Sequence, residues 1–154
     1  MSFELLDTRQ QELTGRVIRA AEVELLASRL NGQIGWLLDL MRKHPLIGSE
    51  FTLTRQQDLS GLGVRLRWMT PKHMIEEAFD SFPGIAAFPL GFIPLGTCMV
   101  GSGNPYFVKA QAGTDTPLVR IPHDRLNPDL SLSESIVEIV RANLGDFFGV
   151  AAFE

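Results

Sequence analysis

Apolar residues fall at intervals of three and four near the start of the chain and at every second position further in. Val17, Ile18, Ala21, Leu25 and Leu26 form a helical stripe, with Thr14 as the predicted cap of a first helix. Asn31-Gly32 supplies its stop, because both residues accept the left-handed conformation that ends helices. A second helix is predicted over Ile34 to Arg42, with Trp36, Leu37, Leu40 and Met41 on its apolar side. His44-Pro45 ends it, since proline pushes its predecessor out of the α region. The period then drops to two. Phe51 and Leu53 alternate with polar neighbours in a strand over Glu50–Thr54, and Val64, Leu66 and Trp68 alternate with Arg65 and Arg67 in a strand over Gly63–Met69. Thr70-Pro71 reads as a cap followed by a first-turn proline, opening a short helix through Met74, Ile75, Ala78 and Phe79. Phe82-Pro83-Gly84 closes it.

Residues 83–128 hold seven of the nine prolines and six of the fourteen glycines, so extended pieces there are short. Four strands are predicted between these breakers: Phe92–Leu95, Thr97–Val100, Tyr106–Ala110 and Leu118–Ile121, with Gln111–Thr116 as a hairpin turn. Ser131 stands three residues before Glu134, the spacing of a capping box. Val137, Val140, Leu144 and Phe148 follow at helical intervals, which predicts a closing helix over Ser131–Phe148. The expected fold is α+β, an antiparallel β-meander packed by N-terminal helices and a C-terminal helix.

Length and charge narrow the function classes. At 154 residues the chain is expected to form one domain with a core that needs no disulfide or structural metal. Cys98 is the only cysteine, which excludes an internal disulfide. No apolar run is long enough to span a bilayer, and the start MSFELLDTRQQ lacks the features of a signal peptide, so the chain reads as cytoplasmic with no membrane partner. Charge is uneven: residues 1–72 carry +2 and residues 73–154 carry −6. An acidic second half argues against nucleic acid and suits a basic protein.

Candidate chemistry is sparse. Cys98, His123 and Asp124 name the parts of a thiol hydrolase, but Cys98 lies in an apolar strand with no oxyanion turn around it. Gly101-Ser102-Gly103-Asn104-Pro105 is glycine-rich, yet a strand follows where a phosphate site needs a helix N-terminus, so it reads as a hairpin turn. His44, His73 and His123 sit on different elements, without the spacing of a helical metal site. Glu76-Glu77 and Asp80 make no acid/base dyad, because adjacent helical positions diverge. Trp36 and Trp68 lie on apolar stripes and read as core. No enzyme, cofactor or metal is expected.

Two stretches of the meander resemble the SUKH superfamily: Gly91-Phe92-Ile93-Pro94-Leu95-Gly96, and Gly101-Ser102-Gly103-Asn104-Pro105-Tyr106-Phe107. Leu118-Val119-Arg120-Ile121-Pro122-His123-Asp124 is similar to that family's third meander element, and Phe82-Pro83-Gly84 to the turn before it. Asn104 stands where an aspartate is common. The resemblance implies a SUKH-like α+β domain without a catalytic site. Bacterial members are often immunity proteins that neutralise a toxin, and fungal relatives regulate cell-wall assembly through protein contacts. The expected function is therefore a non-catalytic protein-binding domain with a basic toxin domain as partner. Ser102, Asn104, Asp115 and Asp124 are the expected contact residues. The alternatives are a small-molecule or nucleotide sensor with a pocket beside the Gly101–Asn104 turn, and a hydrolase using Cys98.

Overall fold

The computed structural model describes residues 3–30, 33–101 and 103–154. Among these residues one seven-stranded sheet forms, with every neighbouring pair antiparallel. Strands β1 (Glu50–Leu53), β2 (Val64–Trp68), β3 (Phe92–Cys98), β4 (Tyr106–Lys109), β5 (Leu118–Arg120) and β6 (Glu138–Arg141) stand side by side in chain order. A two-residue β7 (Ala152–Phe153) returns to the free side of β1. The expected α+β class with an antiparallel sheet is the one observed.

The sheet curls until its two sides approach. The loop after β1 lies along β6, where the Leu59 amide donates to the Val140 carbonyl at 2.9 Å and Arg141 Nη1 donates to the Gln57 carbonyl at 2.8 Å. The curl turns one sheet face into an enclosed core, where Phe51, Leu66, Trp68, Ile93, Val108, Leu118 and Val140 are buried. Two helices, α2 (Ala20–Leu30) and α3 (Gly35–Lys43), contribute Leu26, Leu30, Leu37 and Met41 to it. A short helix α1 (Glu4–Asp7) adds Leu6. The opposite face of β3–β5 buries Phe92, Phe107 and Val119 under Ala87 and Leu132, a smaller second core. Ala87 belongs to the short helix α5 (Gly84–Ala87).

Local signals explain most boundaries. Helix α4 (Pro71–Asp80) starts as its sequence predicts: the Thr70 hydroxyl accepts the His73 amide at 3.2 Å, and Pro71 occupies the first turn, where no amide partner is needed. His44 leaves α3 in an extended conformation just before Pro45. The expected strands Phe92–Leu95 and Thr97–Val100 are one strand, β3, with a bulge: Pro94 faces Phe107 and Gly96 faces Tyr106, so Leu95 is the extra residue. The bulge is also what lets a proline sit inside a sheet. Gly96 is required there, since a Cβ would lie 2.5 Å from Leu66 Cγ. Residues of the expected Gln111–Thr116 turn form 3-10 turns over Ala110–Asp115, broken at Gly113, whose φ is +60°.

Two expectations are corrected. Thr14 caps no helix; its hydroxyl donates to the Glu154 carbonyl at 3.1 Å, and α2 begins only at Ala20. Arg16 and Ile47 exchange both backbone hydrogen bonds, which needs extended chain, and this pairing overrides the stripe at Val17 and Ile18. The closing helix over Ser131–Phe148 is not one helix either. Glu134–Ile136 is a 3-10 turn, Glu138–Arg141 is β6, and only Leu144–Val150 forms a helix, α6, capped by Asn143. Ser131 bonds to Asp129 and Asn127 rather than capping. The β-branched residues Ile139 and Val140 belong to β6, which completes the ladder beside β5, where the edge of a buried sheet needs a partner. The expected stop at Asn31-Gly32 lies outside the described residues.

Candidate functional site

Antiparallel order places three chain segments at one end of the sheet: the β1–β2 loop (54–63), the β3–β4 hairpin loop (99–105), and the stretch that leaves β5 (121–137). Beneath them lies a buried charge cluster that sequence reading missed. Arg120 is 3% exposed and Asp58 2%. One nitrogen of the guanidinium, Nη2, reaches Asp58 Oδ2 at 3.2 Å, the Gly63 carbonyl at 2.8 Å and the Tyr106 hydroxyl at 3.3 Å. The other, Nη1, donates to Ser60 Oγ at 2.8 Å and Glu138 Oε1 at 3.3 Å. The guanidinium carbon also stands 5.2 Å from the centre of the Tyr106 ring. Burial pushes the Tyr106 phenol above its usual range, with the nearby guanidinium opposing, so Tyr106 is a neutral hydroxyl.

The cluster fastens the β1–β2 loop to β4, β5 and β6. Asp58 also accepts the Ser60 amide at 2.8 Å and the Ser60 hydroxyl at 2.7 Å, and Thr54 and Gln57 bond each other reciprocally. A loop held this way presents its remaining side chains in fixed positions. Leu62 is 61% exposed, and Val100 on the hairpin loop is 51% exposed. The signal for this cluster was in the sequence: Arg120 interrupts the apolar run Leu118–Ile121, and a charge in a buried strand requires a partner. Asp58, in a polar loop, carried no such signal.

The expected contact residues separate. Asn104 is half-buried, and its Oδ1 accepts the His123 amide at 3.1 Å. The same oxygen lies 2.6 Å from His123 Nδ1, a contact satisfied when that nitrogen carries the ring proton. This ties the hairpin loop to the segment leaving β5 and sets Asp124, which is exposed, beside it. Asp115 is also exposed but follows β4 at the opposite end of the sheet, so it does not join the others. Ser102 lies outside the described residues.

The other candidates are placed as follows. Cys98 is partly buried, with its thiol directed at the Val100 carbonyl at 3.3 Å and Tyr106 alongside, whereas His123 is bonded to Asn104. Among the described residues no group of three or more His, Cys, Asp or Glu side chains could hold a metal ion. Trp68 is buried, and Trp36 is partly buried with its indole N–H donating to the Ala110 carbonyl at 3.1 Å. A surface cleft of about 280 Å³ runs beside Trp36, Phe3 and Asp7.

No family model matches this chain, and neither the curated proteins nor the solved structures contain a significant relative. The class defined by the structure is thus an α+β protein with a curled, all-antiparallel sheet. None of its described helices is long and apolar enough to cross a membrane.

Proposed function

We propose that this chain is a non-catalytic protein-binding module whose contact surface is the end of the sheet carrying the β1–β2 and β3–β4 loops. One observation carries the reading: Leu62 and Val100 stand exposed on loops that a buried ion pair and the Asn104–His123 contact hold in place. Holding a loop still before binding removes much of the ordering cost of association. Exposed apolar side chains on such a scaffold are the usual centre of a protein interface, with polar groups at the rim. Asp124 supplies an acidic rim group, and the net −6 of residues 73–154 would speed encounter with a basic partner. With the SUKH resemblance, these features support a more specific reading: an immunity protein that neutralises a basic toxin domain.

The test is co-expression with a toxin-like C-terminal domain encoded beside this chain's gene. Growth is restored by the native chain, and Leu62→Glu or Asp124→Lys weakens both rescue and complex formation at least tenfold. Affinity unchanged in both variants would move the contact surface elsewhere. Absence of rescue, or of any toxin-like neighbour, would remove the immunity reading.

A further inference from the structure

The surface cleft beside Trp36 opens at the end of the sheet away from Leu62 and Val100, since Thr114, on the turn that follows β4, lines it. One face of α3 forms its length, where Trp36, Asp39, Lys43 and His44 follow one another at helical spacing. Phe3 and Asp7 line it from the start of the chain. The Phe3 and Trp36 rings lie 17° from parallel with centres 6.4 Å apart, and the indole N–H is already given to the Ala110 carbonyl. This wall therefore offers ring surface and no donor. His44 also lines the cleft, yet it is only 1% exposed, which puts it at the bottom. Neither of its ring nitrogens has a hydrogen-bond partner among the described residues, because the Asp7 carboxylate, 3.0 Å from Nε2, is out of line. Buried polar groups are almost always paired, so an unmet imidazole at the bottom of a cleft marks a place for a ligand group.

We infer that this cleft binds a small organic cation, a primary amine carried on an aromatic body. Burial keeps the His44 imidazole neutral, so it presents a lone pair close to the Asp7 carboxylate. An ammonium carries three N–H groups and can donate to both. Two carboxylates, Asp7 and Asp39, line the cleft against one ammonium, that of Lys43. Lys43 holds Asp7 at 3.2 Å, but both side chains are exposed, and a pair in water is weak enough for a ligand's amine to replace it. The aromatic body fits against Phe3 and Trp36, whose ring faces also attract a neighbouring cation. A carboxylate in the same place would meet Asp7 and Asp39, and a neutral apolar molecule would leave His44 unmet. The cleft shares no residue with the loops proposed to contact a protein, so the inference goes beyond that reading and is tested apart from it.

Phenethylamine is the probe, titrated into the full chain by calorimetry and by NMR of the two tryptophan indole N–H signals. Saturable binding is expected, with a dissociation constant on the order of 1 mM or tighter. It should move the Trp36 signal and leave that of buried Trp68 in place. N-acetylphenethylamine and phenylpropionate, neutral and anionic on the same body, should each bind about tenfold more weakly. Asp7→Asn should weaken the amine about tenfold, and Lys43→Ala should tighten it about two- to fivefold, since Asp7 then has no competing cation. His44→Leu removes the lone pair and should also weaken it about tenfold. Asp7→Asn, at an exposed position, keeps the test open should that buried variant unfold. Leu62→Glu should leave the affinity as it is. Absence of saturable binding would overturn the inference, as would phenylpropionate binding as tightly as the amine, or an affinity unchanged in Asp7→Asn. An acetylated and amidated lysine that binds as tightly as phenethylamine would overturn it as well, by giving the cleft to a partner's lysine side chain.

Discussion

Glu77 illustrates how much a single side chain's surroundings decide. It sits on α4, partly buried, and among the described residues its carboxylate accepts only the Gly84 amide, at 3.3 Å. Burial pushes its pKa up to about 7, and the single hydrogen bond only partly opposes this. In the unfolded chain the same group ionises near 4.5. Stability from this site is therefore fully present below about pH 4.5 and is lost as pH rises toward 7, after which the loss is constant. Glu77→Gln removes the ionisation, so it should be near neutral at pH 4.5 and stabilising by about 1–3 kcal/mol at pH 8. Thermal melts of both proteins across that range check the sign. His44 runs the other way. It is 1% exposed, burial lowers its pKa below the usual 6.5, and Asp7, whose carboxylate lies 3.0 Å from Nε2 without hydrogen-bond alignment, only partly compensates. His44 therefore favours folding above pH 6.5 and withdraws that support as the solution is acidified.

Elements are joined here by buried polar contacts as well as by apolar ones. Arg120 on β5 fixes the β1–β2 loop by bonding Asp58, Ser60 and the Gly63 carbonyl together. Removing one member strands the other charge away from water, which costs about 3–5 kcal/mol. Arg120→Ala should show that loss in urea denaturation, and replacing Asp58 by alanine as well should recover part of it. The loop's amides should also exchange with deuterium faster in the single variant. The fit of α5 against α4 is equally tight: a Cβ on Gly84 would collide with the Glu77 carbonyl, so only glycine serves there. At this scale the chain's own pattern was legible for α3, β1, β2 and α4, because each has a clean period and a local stop or cap. It misled for Ser131–Phe148. There, spacings of three and four among Val137, Val140, Leu144 and Phe148 match a helix and equally match a strand, a turn and a short helix in succession. Periodicity carries no term for an unpaired edge at β5, and that edge is what drew Val137–Arg141 into extended form.

The whole molecule is held by closure of the sheet around one aromatic centre. Phe148 on α6 lies 5.8 Å from Phe51 and 6.2 Å from Trp68 between ring centres, with Phe147 at 5.6 Å and Phe3 at 5.9 Å. Helix α6 thus closes the curled sheet where β1 and β2 meet it. Phe148→Ala should cost about 3–5 kcal/mol, the range for a large core side chain whose cavity cannot collapse. A denaturation midpoint within error of the native one would show that α6 is peripheral.

The amino-acid sequence by itself determined the α+β class, the antiparallel meander, and the start of α4. These rest on interactions a few residues apart: side-chain period, proline geometry and a threonine cap. Asn104 and Asp124, expected as contact residues, lie on segments that the antiparallel order places at one end of the sheet, where Asn104 bonds to His123. Only the tertiary structure decided that Asp115 lies at the other end, that Asp58 meets Arg120 across 62 positions, and that the chain before Leu144 becomes a strand. Those outcomes depend on which surfaces meet when the sheet curls, and the energies that choose them are long-range burial and pairing terms that no local pattern contains.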